Sequence, residues 1–240
     1  MLTATIYGNL ALLKELNQKQ LCVLIDPDKF EENKAEEFLN DLPQDISHIF
    51  VGGSTVEANK TEKTVRAIKY FSNLPIIIFP GDYTQITEKA DGILFLSLLS
   101  GRNPEYLIDQ QIKSVDKLKN SYLEIIPTGY ILIDGGKECA VQRISNTLPI
   151  AQNNVQLIVN TALAGQYSGK KLIYLEAGSG AINHVSFEII REVKNVLSIP
   201  LIVGGGIKNS FQLENIYNAG ADIVVVGTAF ENGDFSYSEK

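Results

Sequence analysis

The chain has 240 residues, near the usual size of one eight-fold α/β barrel and ample for a buried core, so a single domain over residues 1–240 is expected. Its 21 basic and 28 acidic residues leave a net charge of −7, which excludes a basic face for non-specific nucleic-acid binding and requires any anionic ligand to be held locally. The 45% hydrophobic and 20% charged composition excludes disorder as a default; the two cysteines, Cys22 and Cys139, lack metal-ligand spacing and point to a reducing, cytoplasmic setting without a disulfide framework.

Residues 1–16 lack the basic flank and sustained apolar run of a signal peptide, and no integral membrane segment is predicted. Apolar, β-rich runs then recur as LCVLI (21–25), HIFV (48–51), PIIIF (75–79), GILFL (92–96), GYILI (129–133), LIYL (172–175), PLIVG (200–204) and DIVVVG (222–227). Both faces of each run are apolar, the pattern of a parallel strand buried on two sides. Between them lie helical spacings at Ala35/Phe38/Leu39/Leu42, Ile108/Ile112/Val115, Ile189/Val193/Val196 and Leu213/Ile216/Tyr217. Eight strands alternating with helices predict an α/β fold, a (β/α)₈ barrel rather than an open sheet.

Two intervals break the rhythm. Residues 80–91 are too few for a helix with both of its connections, so the third outer helix is expected to be reduced or missing. Residues 134–169 are long: a turn at Gly135 and Gly136, a polar loop, then VQLIVNTALAG (155–165) as the fifth helix.

The chemistry concentrates where strands end. Gly204 to Gly206 follow the seventh strand, and Gly227 with Thr228 follow the eighth, the two positions at which barrels commonly bind phosphate. Glycine lets backbone N–H groups approach an anion closely; tight turns alone would also call for it. LIDPDK puts Asp26 and Asp28 at the end of the first strand, where either an Asx-type turn or a hard-oxygen Mg²⁺ site fits. In VGGSTVE, Ser54 and Glu57 match a capping box, which on spacing is the better reading. Tyr174 and Glu176 stand two apart on the sixth strand, hence on one face, as a phenol and a candidate general base; wall packing and a lysine pair fit equally well. Gly178, Ser179 and Gly180 follow as further backbone donors. His48 and His184 have no partner at ligand spacing and read as surface or packing residues.

Taken in order, LIDPDK, VGGST, PTGY, YLEAGSGA, IVGGGI and VVVGTAF resemble the geranylgeranylglyceryl phosphate synthase family, which includes bacterial heptaprenylglyceryl phosphate synthases, over residues 24–230. The resemblance implies a modified TIM barrel whose third helix is replaced, leaving a groove for a prenyl chain. It implies Mg²⁺ on Asp26 and Ser54, glycerol 1-phosphate on Tyr174, Leu175, Glu176, Ala177, Gly178, Ser179, Gly180, Gly205, Gly206, Gly227 and Thr228, and Glu176 as the base with Tyr174 beside it. The implied activity is transfer of a polyprenyl group from its diphosphate to glycerol 1-phosphate, with release of diphosphate, in membrane lipid biosynthesis, by a homo-oligomer. Leu24 stands where some bacterial members carry a lysine, and Gly227-Thr228 where Gly-Asn is common. LIDPDK with EAGSGA is closer to the archaeal-type branch, which favours a C20 geranylgeranyl donor. A phosphosugar isomerase barrel or a non-catalytic phosphometabolite-binding barrel would share the two phosphate loops.

Overall fold

The computed structural model describes residues 5–237. Eight strands, β1 Gln20–Ile25, β2 Ile46–Val51, β3 Ile76–Ile78, β4 Gly92–Leu98, β5 Glu124–Leu132, β6 Leu172–Glu176, β7 Leu201–Gly204 and β8 Ile223–Val226, pair in parallel in chain order, and β1 pairs β8 to close a barrel. Alternation along each strand separates two buried layers. Cys22, Phe50, Leu94, Tyr130, Tyr174 and Val225 fill the interior, while Val23, Ile49, Leu175 and Val203 pack outward against the helices.

The helices are α1 Ile6–Glu15, α2 Ala35–Asp41, α3 Lys60–Phe71, α4 Gln110–Leu118, α5 Ala140–Ser145, α6 Val155–Tyr167, α7 Phe187–Val196, α8 Ser210–Ala219 and α9 Thr228–Glu231. α7 shows why such segments form. The Ser186 hydroxyl accepts the Ile189 N–H at its start, and Ile189, Ile190 and Val193 bury one stripe against the sheet. α6 covers the expected fifth helix.

Between β3 and β4 only a short 3₁₀ turn, Tyr83–Gln85, remains, so the expected loss of the third outer helix holds. The buried Gln85 side chain bridges this gap: its carbonyl accepts the Gly81 N–H at 3.0 Å and its amide donates to the Gly53 carbonyl at 2.9 Å. One glutamine thereby ties the β2 and β3 loops together where a helix would otherwise pack.

Three local expectations differ from the structure, and one helix, α1, was not foreseen. No helix starts at Ser54; α3 begins at Lys60, after a left-handed Asn59, so Ser54 and Glu57 form no capping box. The polar loop after Gly136 contains α5. Ile108, Ile112 and Val115 share one helical face as their spacing implies, but that face is half or more exposed, and α4 turns Gln111, Ser114 and Leu118 to the barrel instead. Finally, α1 precedes the barrel. Thr5 caps it, the Glu124 carboxylate accepts the N–H groups of Ile6 and Tyr7, and Leu10 seals the interior layer at the amino-terminal end.

Candidate active site

The carboxyl ends of the strands surround a cavity of about 510 Å³. Asp26, Ser54, Tyr174, Glu176, Ser179, Gly180, Gly205, Gly206, Gly227 and Thr228 all line it, so residues spread over two hundred positions converge on one space. Gly178 is buried and does not. Leu175 and Ala177 do not either. Their side chains lie in the outer layer, because each is one residue out of phase with Tyr174 and Glu176 on a period-two strand. Only the backbone at these two positions is left to serve a ligand.

Glu176 sits at the last position of β6 with 6% of its surface exposed. Burial raises its pKa to about 7, partly offset by the Gly178 N–H, which donates to Oε1 at 2.7 Å, and by the neighbouring Tyr174 phenol. No lysine among the described residues pairs with it. Tyr174 is wholly buried, and its Oη has no hydrogen-bond partner of ordinary geometry among the described residues; burial, then the Glu176 charge, raise its pKa well above the usual value. The ring stacks on Phe79, centroids 5.3 Å apart, and meets Tyr130 edge-on at 5.4 Å. Tyr130 is paired in register with Tyr174 across β5 and β6, which fixes both phenols on the cavity floor.

The glycines at the end of β7 have a role beyond turning the chain. A Cβ on Gly204 would lie 2.4 Å from the Tyr174 Oη and 2.9 Å from Glu176 Oε2; one on Gly205 would lie 2.4 Å from Glu176 Oε1. These two glycines form the socket of the carboxyl. Gly205 and Gly206 have φ of +86° and +73°, Gly178 and Gly180 of +101° and +60°, so left-handed backbone shapes both loops facing the cavity. Across it, the Ser179 and Thr228 hydroxyls meet at 3.0 Å and join the β6 and β8 loops.

On the opposite wall, Asp26 forms the Asx-type turn that its spacing allowed. Its Oδ1 accepts the Asp28 N–H at 3.1 Å in an Asx turn, while the carboxylate remains a quarter exposed to the cavity. Gly53 abuts it: a Cβ there would come within 3.0 Å of Oδ1, placing the Gly52-Gly53-Ser54 loop against the carboxylate. Glu231, on α9, accepts the Asp26 N–H at 2.9 Å, and Lys29 bridges Glu231 at 3.2 Å and Asp26 at 3.4 Å. Burial opposes the Lys29 charge, but Glu231 and Asp26 outweigh it and raise its pKa. Lys29 closes the LIDPDK motif but was given no role, and the one trace of Glu231 is its position one turn after the Gly227-Thr228 pair.

From this mouth an apolar trench runs through the gap left by the missing helix, walled by Phe79, Ile86, Leu94, Leu96 and Val141. Of the remaining candidates, His48 is buried and burial lowers its pKa to about 4, while His184 packs on Phe187 with centroids 4.9 Å apart; both are packing residues. Cys22 and Cys139 are free and buried.

A parallel barrel with glycine-lined turns after its last three strands, a buried carboxyl between them and a trench replacing one helix defines a TIM barrel with a phosphate-type mouth and room for a long apolar ligand. Residues 14–239 match the PcrB family, and the chain belongs to it. It is 61% identical over 221 residues to the geranylgeranylglyceryl phosphate synthase of Zunongwangia profunda, covering 92% of this chain and 94% of that one. The enzyme of the same name from Flavobacterium johnsoniae is 50% identical over 229 residues, 95% of this chain and 94% of its own. Among solved structures, the (S)-3-O-geranylgeranylglyceryl phosphate synthase of Thermoplasma acidophilum, in complex with sn-glycerol-1-phosphate, superposes with a TM-score of 0.88 at 35% identity, covering 95% of this chain and 92% of that one.

Proposed function

We propose that the protein joins a polyprenyl group, geranylgeranyl by preference, from its diphosphate to sn-glycerol 1-phosphate through an ether bond, releasing diphosphate for membrane lipid synthesis. The observation that carries this reading is Glu176: a buried carboxyl with a pKa near 7, at the junction of the glycine loops and the apolar trench. A base poised near the working pH suits removal of a proton from an alcohol. The names of the relatives and the glycerol-phosphate complex of the Thermoplasma neighbour support the same substrates.

In this reading the turns at Gly178 to Gly180, Gly205-Gly206 and Gly227-Thr228 hold the phosphate of glycerol 1-phosphate with backbone N–H groups, which a protein of net charge −7 has reason to prefer over a basic surface. Tyr174 keeps the glycerol hydroxyl facing Glu176, whose carboxylate accepts the hydroxyl proton as oxygen attacks the allylic carbon. The trench covers the hydrocarbon and keeps water from competing. Asp26 is suited to Mg²⁺, since the ion is commonly held by one or two carboxylates plus substrate phosphates, and Ser54 offers an oxygen on the adjoining loop. Bound there, Mg²⁺ would supply positive charge toward the leaving diphosphate. A cytoplasmic homo-oligomer completes the reading; the exposed Ile108, Ile112 and Val115 stripe supports the association.

Incubation with glycerol 1-phosphate, Mg²⁺ and prenyl diphosphates of several lengths, with mass detection, should give the ether product, most rapidly with the C20 donor. Turnover of a phosphosugar without prenyl donor would instead make the chain an isomerase-type barrel; binding of glycerol 1-phosphate without turnover would make it a binding barrel.

A further inference from the structure

The amino-terminal loop carrying Asp26 and the carboxyl-terminal helix α9 are separated by about two hundred residues, yet two contacts join them and a third closes the cluster within the loop. Glu231 Oε1 accepts the Asp26 N–H at 2.9 Å, Glu231 Oε2 lies 3.2 Å from the Lys29 Nζ, and the same Nζ lies 3.4 Å from Asp26 Oδ2. The Glu231 side chain is only 11% exposed, whereas that of Lys29 is 53% exposed. The loop is held on its far side too, where Asp28 Oδ1 accepts the Glu57 N–H at 3.0 Å. Glu231 is therefore the fixed member of the cluster and Lys29 the movable one.

Any divalent cation approaching Asp26 competes with Lys29 for the same carboxylate edge. A lone lysine beside a lone aspartate would settle on it; a second carboxylate placed on the other side of the ammonium shares it. We infer that Glu231 is a positioning residue for Asp26, fixing its loop through the backbone N–H and drawing Lys29 aside from the carboxylate oxygen that a divalent cation uses. Lys29 lines the cavity, so once displaced from Asp26 it stands where an anionic leaving group would sit. The inference rests on the metal-side role of Asp26 given under the proposed function, but concerns residues to which that reading assigns no part.

The arrangement makes opposite predictions for the two partners. Glu231→Ala frees the loop and lets Lys29 collapse onto Asp26, so the dissociation constant for Mn²⁺ alone, read by electron paramagnetic resonance on the full chain without substrates, should rise about tenfold, the lower end of the usual cost of losing a group that orients a ligand. Glu231→Gln keeps an acceptor for the Asp26 N–H and loses only the pull on Lys29, so its loss should be smaller. Lys29→Met removes the competing charge and should tighten Mn²⁺ several-fold. A merely structural brace would weaken binding in both the Glu231 and Lys29 variants.

Unchanged Mn²⁺ affinity in folded Glu231→Ala, or weakening in Lys29→Met, overturns the inference. If Glu231→Ala does not fold, Glu231→Gln and Lys29→Met decide alone, and identical affinity in both overturns it. Ether formation by the wild type is measured in parallel. Product with unmoved Mn²⁺ affinities sinks the inference and leaves the proposed function standing; no product with the expected opposite shifts does the reverse.

Discussion

The β5 to β8 side of the mouth and the β2 to β4 side are built on contrary principles. On the first, loops touch through backbone and short polar groups: the Ile182 and Asn183 N–H groups both donate to the Gly135 carbonyl at 3.0 Å, Ser179 meets Thr228, and missing side chains at Gly204 and Gly205 make room for one carboxyl. On the second, an entire helix is absent, Gln85 spans the gap, and apolar side chains line what is left. A small anion and the proton to be moved need fixed atoms, which backbone geometry provides; a flexible hydrocarbon needs only room and dryness, which removal of an element provides.

That contrast predicts where function is brittle. The largest effect should come from Glu176→Gln, which preserves shape but cannot accept a proton. Its single-turnover rate should fall on the order of 10² to 10⁴-fold with glycerol 1-phosphate affinity intact. In the wild type, kcat/KM should rise with pH to a plateau above about 7, as burial holds the carboxyl protonated below that value, and this limb should vanish in the variant. A near-normal rate in rapid-quench measurements would remove Glu176 from the chemistry.

The same variant should be more stable than the wild type in alkaline buffer. A folded pKa of about 7 against an ordinary 4.5 means that folded protein binds the proton more tightly. Stability from this group is full below pH 4.5 and is lost as pH rises through 7, by at most about 3 kcal/mol. Glu176→Gln escapes that loss. Urea titrations at pH 5 and pH 8 should show the gap between the two proteins widening at pH 8; an equal gap would mean that the carboxyl is not strained by burial.

Asp26→Asn should lower turnover about 10²-fold, the scale of removing one electrostatic partner of a transition state, and shift the Mg²⁺ requirement upward. Normal rate and metal titration would leave Asp26 with its Asx turn alone. Smaller still is the split between neighbouring glycines. Gly206→Val, at φ +73° and with His184 N 3.1 Å from the new Cβ, should weaken glycerol 1-phosphate about tenfold in calorimetry, from roughly 1–2 kcal/mol of left-handed strain. Gly205→Ala pushes on Glu176 Oε1 instead and should depress kcat more than affinity. If both behave alike, the glycine run is one phosphate loop and not a socket beside a loop.

The strand count, the missing third helix and the convergence of Tyr174 with Glu176 were readable in the sequence because each depends on local spacing: apolar runs of strand length, an interval too short for a helix, and a side-chain period of two. Spacing fell short at α4, whose apolar stripe Ile108, Ile112 and Val115 faces outward, and at Ser54 and Glu57, which matched a helix cap that the chain delays to Asn59. The glycines were visible, but their reason was not: Gly204 and Gly205 are small because a carboxyl from another strand presses on them. Likewise, only barrel closure, which pairs β1 with β8, brings Glu231 against Asp26 and Lys29. Spacing along a chain reports what neighbours in sequence do to one another, whereas a carboxyl's burial, its pKa and its partners are set by residues that meet only when the sheet closes.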